Sequence, residues 1–348
     1  MKYLFLGIFS IITENMSKIN AVITGIGSYV PKYVLTNEEI STFVDTNDEW
    51  ITKRIGIKER RILKPEEGRG INYLAEKAIA DLRSKNNFDP LEIEAIIFAT
   101  STPDYILPNS ASLIAYQTGM TNAFGFDLGA ACSGYIFGLD VAQAYILSGK
   151  YKKVLLIAGD VLSVVTDYQD RNTCPIFADS CSATLLEATT EDVGIIDSDL
   201  HSDGNSLETL HMYGGGSVNP ASHESIDKRL HYIWQDGKIV FKRAVIDMSN
   251  ACFELMKRHN LSLADIDWIV PHQANIRIIN AVAERMGVPM EKVGINIEKY
   301  GNTSAGSIPL CLHGLESKLR KGDNIILTAF GAGFTWGATY LKWGYEPA

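Results

Sequence analysis

Two patterns of hydrophobic residues alternate along the chain. Short, nearly continuous apolar runs predict strands that are buried on both faces, as the strands of parallel sheets are. Between them, longer stretches with apolar residues three and four apart predict helices. The predicted strands span residues 93–100, 153–158, 266–270 and 324–329, and the predicted helices span residues 71–82, 111–118, 135–147 and 276–286. Strands that alternate with helices predict an α/β fold with crossover connections.

The first predicted strand, residues 20–26, contains the first of two closely spaced glycines. Gly25 and Gly27 are expected to end this strand and to open a loop that reaches Pro31. No third glycine follows at the spacing of a dinucleotide-binding motif, so that function is not predicted. Thr36 is expected to begin a helix whose first turn is acidic.

The second half of the chain repeats the order of the first. In each half, two predicted strands begin roughly 55 to 60 residues apart, a period too long for a solenoid repeat. We therefore predict two copies of one α/β unit, residues 18–190 and residues 191–348. A duplicated protein of this kind binds its ligand where the carboxyl ends of the strands of the two halves meet.

Composition narrows the possible partners. The 348 residues carry a formal net charge of −9, which argues against nucleic acid or an anionic membrane as a general partner. An acidic partner would need a local basic patch. The five cysteines show no paired C-x-x-C spacing, so neither a zinc site nor a disulfide framework is predicted. We expect a reduced, cytoplasmic environment.

Residues 1–17 require a separate interpretation. The segment begins with apolar residues behind one lysine, as a small signal peptide does, but the apolar run is too short to cross a bilayer as a helix. No small-residue cleavage pattern follows, and Met16 begins the first segment that resembles a domain. We favour an extension from a mis-assigned upstream start, with a signal or an anchor as the alternative.

The stretch F-D-L-G-A-A-C-S-G around Cys132 predicts a strand, a tight turn of small residues and a helix. A thiol on such a turn lies beside unpaired N–H groups at the positive end of the helix dipole, which favours the thiolate and lowers the pKa. Small neighbours would let a substrate carbonyl approach the backbone. A buried structural cysteine in a glycine-rich turn is the alternative.

A histidine and an asparagine occupy comparable positions in the second half. His272 follows a predicted buried strand and Asn302 lies on a glycine-led turn, although each alone also fits a structural role. With Cys132 they permit two chemistries. In a hydrolase the histidine takes the thiol proton and the asparagine orients its ring. In a condensing enzyme both donate hydrogen bonds to one developing oxyanion, and the F-G-A-G-F turn at residues 330–334 suits a second oxyanion hole.

Trp50 and Arg54 are four residues apart on a predicted helix. They would share one face and present a flat ring and a positive charge, a surface that could hold a nucleotide. The alternative is a solvated helix whose tryptophan packs inward.

Four motifs, in this order, resemble the β-ketoacyl-acyl carrier protein synthase III family of the thiolase superfamily: DLGAACSGYIFGL, VPHQANIRII, YGNTSAGSIP and FGAGFTWG. The segment NDEWITKRIGIKER is similar to the N-terminal part of the same family. The resemblance runs from about Lys18 to the C-terminal end. It implies a five-layer αβαβα core of two duplicated halves, a homodimer, and decarboxylative condensation of an acyl-CoA primer with malonyl-acyl carrier protein, which initiates fatty-acid synthesis without a metal or cofactor.

The resemblance also implies roles for individual residues. Cys132 would accept the acyl group, His272 and Asn302 would assist condensation, and the N–H groups of Cys132 and Ala332 would form the oxyanion hole. Further residues match positions that contact coenzyme A, the acyl chain or the carrier protein: Trp50, Arg54, Arg171 and Asn275 for coenzyme A; Leu107 and Phe330 for the acyl pocket; Lys242, Arg243, Arg277 and Arg285 for the carrier protein.

The sequence departs from the family at three places. Residues 177–183 read F-A-D-S-C-S-A where the family usually has F-G-D-G-A-G-A, so glycine-only backbone angles are not essential there. Leu107 stands where the family often has an aromatic residue that reaches across the dimer, and the smaller side chain is expected to admit branched or longer primers. Ala332 replaces a glycine. A specialised synthase or acyltransferase of secondary metabolism and a Cys-His-Asn thioester hydrolase remain the alternatives.

Overall fold

The computed structural model describes residues 19–346, except for the side chain of Ser206. The predicted extension, residues 1–17, lies outside the described residues. The strands are β1 Asn20–Tyr29, β2 Tyr33–Thr36, β3 Glu59–Ile62, β4 Ala95–Ala99, β5 Phe124–Leu128, β6 Lys153–Val161, β7 Asp179–Thr189, β8 Gly194–Ser202, β9 Leu210–His211, β10 Trp234–Gln235, β11 Trp268–Pro271, β12 Asn324–Gly331 and β13 Thr335–Lys342.

The helices follow the predicted alternation with the strands. They are α1 Asn37–Ile40, α2 Asp48–Ile55, α3 Gly70–Lys85, α4 Ser110–Gln117, α5 Gly134–Leu147, α6 His223–Asp227, α7 Gly237–Arg258, α8 Ile276–Met286, α9 Ile297–Tyr300 and α10 Ser307–Leu315. Two short 3-10 turns, Ala131–Ser133 and Ser304–Gly306, immediately precede α5 and α10. Thr36 caps α1, as predicted, by accepting a hydrogen bond from the Glu39 N–H.

Two mixed sheets and three layers of helices form the core. The first sheet has the strand order β1-β7-β6-β4-β5, and the second has the order β11-β12-β13-β8. α5 and α10 pack between the two sheets, α3 and α4 cover the outer face of the first sheet, and α7 and α8 cover the outer face of the second. The predicted five-layer αβαβα fold is confirmed.

The two sheets repeat one pattern of pairing. β4 and β6 are parallel, and so are their counterparts β11 and β12. β7 and β1 extend the first sheet by antiparallel pairing, as β13 and β8 extend the second. The counterpart of β5 is reduced to a single parallel bridge between Val293 and Ile269. The parallel strands of both sheets therefore end near the middle of the molecule, where the two 3-10 turns begin α5 and α10.

The middle layer explains the apolar stretch after Cys132. α5 has a sheet on each side, so most of its circumference is apolar; examples with no exposed surface are Tyr135, Ile136, Leu139 and Ile146. A helix that is hydrophobic on most sides is the pattern expected for an element between two layers.

The prediction that glycines end the first strand was wrong. β1 continues to Tyr29, with a register shift between Ile23 and Gly25. A Cβ atom on Gly27 would lie 2.2 Å from the Ala78 carbonyl oxygen and 2.3 Å from the Leu82 nitrogen, both in α3. The glycine therefore allows a helix to approach the strand closely rather than forming a turn.

Candidate active site

Cys132 lies on a sharp turn between β5 and α5, as the sequence predicts. Ala131, the residue before it, has the left-handed φ of 45°, which is uncommon for a residue with a side chain. Two hydrogen bonds fasten the turn to β13 in the other half: the Ser133 hydroxyl donates to the Thr335 carbonyl oxygen at 2.9 Å, and the Thr335 hydroxyl donates to the Ala130 carbonyl oxygen at 2.9 Å. The position of the nucleophile therefore depends on contact between the halves.

The predicted second oxyanion donor, Ala332, lies on the turn after β12. A Cβ atom on Gly331 would lie 2.7 Å from the Cys132 nitrogen, so only glycine lets this strand approach the nucleophile turn so closely. Ala332 follows and lines the same cavity as Cys132. Its φ is not positive, and the glycine-to-alanine departure therefore causes no backbone strain.

His272 is held by hydrogen bonds from both sides. Its backbone N–H donates to the Thr328 carbonyl oxygen at 2.8 Å, and its Nδ1 is 2.7 Å from the Ser307 hydroxyl. That hydroxyl oxygen also accepts from the Gln273 N–H at 3.3 Å. The Ser307 O–H is therefore well placed to donate to Nδ1, which assigns the ring proton to Nε2.

His272 is an uncharged imidazole in this environment. The side chain is 2% exposed, and burial lowers its pKa to about 3 because charging the ring in the interior is costly. The ring can therefore act near neutral pH as a neutral hydrogen-bond donor.

Asn302 lies on a loop of the second half that is hydrogen-bonded to the first half. Its N–H donates to the Ile176 carbonyl oxygen at 3.0 Å, and its carbonyl oxygen accepts from the Ala178 N–H at 2.9 Å. The side-chain Oδ1 accepts from the Ser304 N–H at 2.8 Å. This bond fixes the orientation of the amide and leaves its NH₂ group as the part that donates.

The expected lowering of the Cys132 pKa was wrong. Burial raises the pKa of this thiol to about 12, even though the turn does place it at the start of a helix. A helix terminus contributes at most about 2 kcal/mol, whereas the rise corresponds to about 4 kcal/mol. Desolvation in this cavity therefore outweighs the dipole and favours the thiol over the thiolate.

One cavity of about 890 Å³ brings the three predicted residues together. Cys132, His272 and Asn302 all line it, with Phe330 at its wall. Leu107 is not among the lining residues; it is 84% exposed on the loop before α4. The cavity thus joins the ends of strands from both halves, where the duplicated fold predicts a ligand site.

Three of the four predicted coenzyme A residues line this cavity, and the fourth, Arg171, lies against one of them, Trp50. Trp50 and Arg54 line it, and the Arg54 guanidinium lies 5.3 Å from the centroid of the Trp50 ring. The Arg171 guanidinium lies 4.6 Å from the same ring, closer than the roughly 7 Å that two stacking contacts around an inserted base require. Arg171 must therefore move before a base can enter between them. Asn275 also lines the cavity and caps α8.

The predicted carrier-protein residues lie on α7 and α8. Lys242, Arg277 and Arg285 are exposed, and Arg277 also lines the cavity. Arg243 differs, because it pairs with Asp247 at 2.7 Å and with Asp203 at 3.3 Å. Its charge is therefore compensated within the protein.

Three residues that support the site were not predicted from the sequence. Ser307 orients the His272 ring, and Ser304 orients the Asn302 amide. The fully buried Gln273 donates to the carbonyl oxygens of Pro271 and Gly294 and accepts from two N–H groups at the start of α9. For Gln273, the one signal available in the sequence was a polar residue between His272 and Ala274.

The uncharged state of His272 predicts a pH dependence of stability. Its folded pKa of about 3 is below the unfolded value of about 6.5, so the unfolded chain binds a proton that the folded chain does not between these values. This residue therefore destabilises the fold as pH falls below about 6.5, by up to about 1.4 kcal/mol per pH unit.

Urea unfolding at pH 7 and about pH 5.5 checks this expectation. We expect the wild type to lose about 1 kcal/mol more than His272→Gln between these pH values, while His223→Gln, a change at an exposed histidine, follows the wild type. An identical loss in wild type and His272→Gln would show that the buried ring is not the cause.

Comparison with known proteins relates this fold and site to one family. Models of 3-oxoacyl-[acyl-carrier-protein (ACP)] synthase III match residues 126–204 and, for the C-terminal part, residues 256–343. A β-ketoacyl-[acyl-carrier-protein] synthase III of Azobacteroides pseudotrichonymphae is 67% identical over 95% of this chain and 99% of its own.

Solved structures give the same result. The 3-oxoacyl-[acyl-carrier-protein] synthase III of Aquifex aeolicus superposes with a TM-score of 0.85 at 41% identity, over 93% of this chain and all of the other. The priming β-ketosynthase of the R1128 polyketide pathway superposes with a TM-score of 0.86 at 32% identity, over 94% of this chain and 97% of the other.

The duplicated five-layer fold, with a cysteine, a histidine and an asparagine in one cavity, defines a condensing enzyme of the thiolase type. The similarity extends over nearly the whole chain. The protein belongs to the β-ketoacyl-[acyl-carrier-protein] synthase III family.

The described part of the chain, residues 19–346, lacks two features. No helix in this range is long and apolar enough to cross a membrane. No three His, Cys, Asp or Glu side chains in it are grouped as metal ligands.

Proposed function

We propose that the protein is a β-ketoacyl-acyl carrier protein synthase III, which condenses an acyl-CoA primer with malonyl-acyl carrier protein and so initiates fatty-acid synthesis. The observation that carries this proposal is the convergence of Cys132, uncharged His272 and Asn302 on one cavity. The family to which the chain belongs supports the same reaction.

The first half-reaction acylates the enzyme. The Cys132 sulfur attacks the primer thioester, and the N–H groups of Cys132 and Ala332 stabilise the tetrahedral oxyanion. Coenzyme A then leaves, with its adenine end held near Trp50 and Arg54. Asn275, which lines the same cavity, would contact the pantetheine arm.

The second half-reaction forms the carbon–carbon bond. Malonyl on the carrier protein loses carbon dioxide, and the thioester oxygen of the resulting enolate accepts hydrogen bonds from His272 Nε2–H and the Asn302 NH₂ group. The enolate carbon attacks the acyl group, and the Cys132 thiolate leaves. Aromatic and aliphatic residues such as Phe330 exclude the water that would hydrolyse the intermediate.

The hydrogen bonds favour condensation over hydrolysis. In a Cys-His-Asn hydrolase the asparagine orients the histidine ring. Here the ring is oriented by Ser307 at 2.7 Å, and the Asn302 Oδ1 accepts from the Ser304 N–H instead. Asn302 therefore acts as a separate donor, as one oxyanion with two donors requires.

Product analysis tests the proposed function. The wild type with acetyl-CoA and malonyl-acyl carrier protein is expected to yield acetoacetyl-acyl carrier protein, carbon dioxide and free coenzyme A in equal amounts. Release of free acid without the new carbon–carbon bond would identify a hydrolase and contradict the proposal.

A specialised condensing enzyme of secondary metabolism is the second candidate. The superposition with a polyketide priming synthase supports it, and so do the departures at residues 177–183 and at Leu107. Both candidates share the chemistry and differ in the primer and the pathway.

Primer selectivity tests the role of Leu107. We expect turnover of isobutyryl-CoA and medium-chain acyl-CoA alongside acetyl-CoA, because leucine leaves more room than an aromatic ring. Leu107→Phe should lower kcat/KM for the larger primers by about tenfold relative to acetyl-CoA, since a lost or blocked methylene contact is worth about 1–3 kcal/mol. Strict acetyl preference of the wild type would count against this role.

We also propose that two chains form a homodimer through the loop before α4. Tyr105, Ile106 and Leu107 are consecutive and are 61–84% exposed, and Tyr116 on α4 is 83% exposed. Contiguous exposed apolar side chains of this kind mark interaction surfaces. In a dimer, Leu107 would reach the acyl pocket of the partner chain.

The free thiols of all five cysteines are consistent with a cytoplasmic enzyme.

Arg277 is the strongest candidate contact for an acidic carrier protein. It is exposed, lines the cavity and lies 5.6 Å over the Phe241 ring, which orients its guanidinium. Arg277→Glu is expected to raise the KM for malonyl-acyl carrier protein at least about tenfold through charge reversal, with little change in primer acylation. Arg83→Glu, on the far side of the first sheet, is the matched control. Equal effects of the two variants would contradict the assignment.

A further inference from the structure

Arg60, on β3, is an arginine that is buried without a charged partner. Its side chain has no exposed surface. The Nε and Nη2 atoms both donate to the Pro175 carbonyl oxygen, at 2.9 and 2.6 Å, and Nη1 donates to the Asn37 Oδ1 at 2.5 Å. Within residues 19–346 no carboxylate forms a salt bridge with Arg60. A buried cation with only neutral acceptors is costly, so a functional reason for it should be sought.

Asn37 connects Arg60 with the helix that carries Trp50. The Asn37 Nδ2 donates to the Asp48 Oδ1 at 2.7 Å and to the Ile57 carbonyl oxygen at 2.9 Å. Asp48 begins α2, and Ile57 lies just after its end. Arg60 is therefore joined, through one amide, to both ends of the helix whose Trp50 lines the cavity.

Pro175 belongs to the loop that carries Arg171. Within this loop, the Thr173 hydroxyl donates to the Asp170 Oδ2 at 2.8 Å, and the Thr173 N–H donates to the Asp170 carbonyl oxygen at 3.2 Å. These bonds close residues 170–173 into a compact turn with Arg171 inside it. A contact at the Pro175 carbonyl oxygen, two residues further on, therefore fixes where the backbone of Arg171 lies.

The part of the loop after Pro175 is held separately by Asn302. The Ile176 carbonyl oxygen accepts from the Asn302 N–H at 3.0 Å, and the Ala178 N–H donates to the Asn302 carbonyl oxygen at 2.9 Å. Neither of these bonds involves Arg60. Loss of the Arg60 guanidinium is therefore expected to release the part of the loop that carries Arg171 and to leave the part that supports Asn302.

The side chain of Arg171 can move while its backbone stays in place. Its guanidinium lies 4.6 Å from the centroid of the Trp50 ring, so it must withdraw before a base can enter. It pairs loosely with the exposed Asp45 at 3.9 Å, and such an exposed ion pair resists little. The distance from the Arg171 backbone to α2 then sets the width of the gap, and Arg60 connects the two.

We propose that Arg60 is a positioning residue for the nucleotide end of coenzyme A. Its guanidinium holds the loop of Arg171 at a fixed distance from α2, so that the adenine can enter between Arg171 and Trp50. This inference rests on the proposed use of an acyl-CoA primer. Arg60 is not among the residues that line the cavity, so it acts through other side chains. Its effect is therefore confined to ligands that carry the nucleotide.

Two acetyl thioesters that differ in the nucleotide test the proposal. Acylation of Cys132 is followed by intact-protein mass spectrometry with acetyl-CoA and with S-acetyl-N-acetylcysteamine, which lacks the nucleotide. In Arg60→Met the second-order rate constant with acetyl-CoA is expected to fall at least about tenfold, because a shift of about 1 Å in a binding group can cost that much. With the short thioester it should change less than about threefold.

Two further measurements on Arg60→Met separate binding from chemistry. Calorimetry with coenzyme A should show an affinity at least about tenfold weaker than that of the wild type. Condensation of previously acetylated enzyme with malonyl-acyl carrier protein, whose pantetheine arm carries no adenine, should stay within about threefold of the wild type. A residue that only stabilised the fold would not distinguish ligands by the nucleotide.

Arg61→Met is the matched control. Arg61 is the next residue of β3, so its side chain points to the opposite face of the strand, where it pairs with Glu59 at 3.1 Å. This variant should acylate with both thioesters within about threefold of the wild type. Arg60→Lys keeps the positive charge but loses the planar fork that reaches Pro175 and Asn37 together, and it should show most of the loss with acetyl-CoA.

Asn37→Ala and Arg60→Lys carry the test if Arg60→Met does not fold. Asn37→Ala cuts the connection to α2 and leaves the bonds to Pro175 in place, so acylation by acetyl-CoA should fall selectively. Two results overturn the proposal: folded variants with the wild-type affinity for coenzyme A, or equal losses with both thioesters. A wild type that binds coenzyme A but forms no acyl-cysteine would instead refute the proposed function, and the calorimetry would still test Arg60.

Discussion

Replacing Cys132 with serine is expected to abolish the acyl-enzyme. The change removes one polarisable sulfur and keeps the shape of the turn, so the oxyanion hole of Cys132 and Ala332 remains in place. A serine hydroxyl ionises far less readily than a thiol, and His272 is too weak a base in its buried state to compensate. We expect acylation by acetyl-CoA to fall at least about 10³-fold.

Intact-protein mass spectrometry after mixing with acetyl-CoA measures this effect. Cys252→Ala serves as the control, because Cys252 is a buried thiol in α7, on the outer face of the second sheet and outside the cavity. That variant should acquire the acetyl group at the wild-type rate if it folds. Unimpaired acylation of Cys132→Ser would exclude this residue as the nucleophile.

Removing either donor to the enolate should separate the two half-reactions. His272→Ala deletes the Nε2–H donor, and Asn302→Ala deletes the NH₂ donor. Loss of one such hydrogen-bond donor typically lowers, by about 10²–10³-fold, the rate of the step in which the negative charge develops. Primer acylation develops its charge at the other oxyanion hole, so we expect it to change less than about threefold in His272→Ala.

Asn302 requires a substitution that keeps its Oδ1, because this oxygen also accepts a hydrogen bond from the Ser304 N–H at 2.8 Å. Asn302→Asp keeps this acceptor and loses the donor, so it isolates the loss of the NH₂ group. The measurement is formation of β-ketoacyl-acyl carrier protein from acyl-enzyme prepared in advance. Unchanged condensation in His272→Ala and Asn302→Asp would mean that these side chains do not stabilise the enolate.

The architecture could be predicted because both halves carry the same alternation of apolar strands and helices. Local patterns of apolar residues predicted the buried strands β4, β6 and β12 and the helix α5. The extent of β1 did not, since Gly25 and Gly27 have the local signature of a turn, whereas Gly27 is needed for contact with α3. Helix packing against a strand is a tertiary contact, and no short-range pattern reports it.

The sequence could predict that Cys132 and His272 line one cavity, because each follows a strand. Their protonation states were only partly predictable. The helix terminus at Cys132 is visible in the sequence, but the desolvation that outweighs it depends on the cavity that residues from both halves line. Ser307 was missed because its partner, His272, lies 35 residues away on another loop. Ser304 is only two residues from Asn302, but the sequence does not show that its N–H binds the amide oxygen.

The proposed reaction requires Cys132, His272 and Asn302 to act in sequence within one cavity. The most direct measurement is a chase experiment in which acetyl-CoA is added first and malonyl-acyl carrier protein second, followed by peptide mass mapping. We predict an acetyl group on Cys132 alone that disappears as acetoacetyl-acyl carrier protein forms. An adduct on another residue, or an adduct that is lost as free acetate while no ketoacyl product appears, would contradict the account.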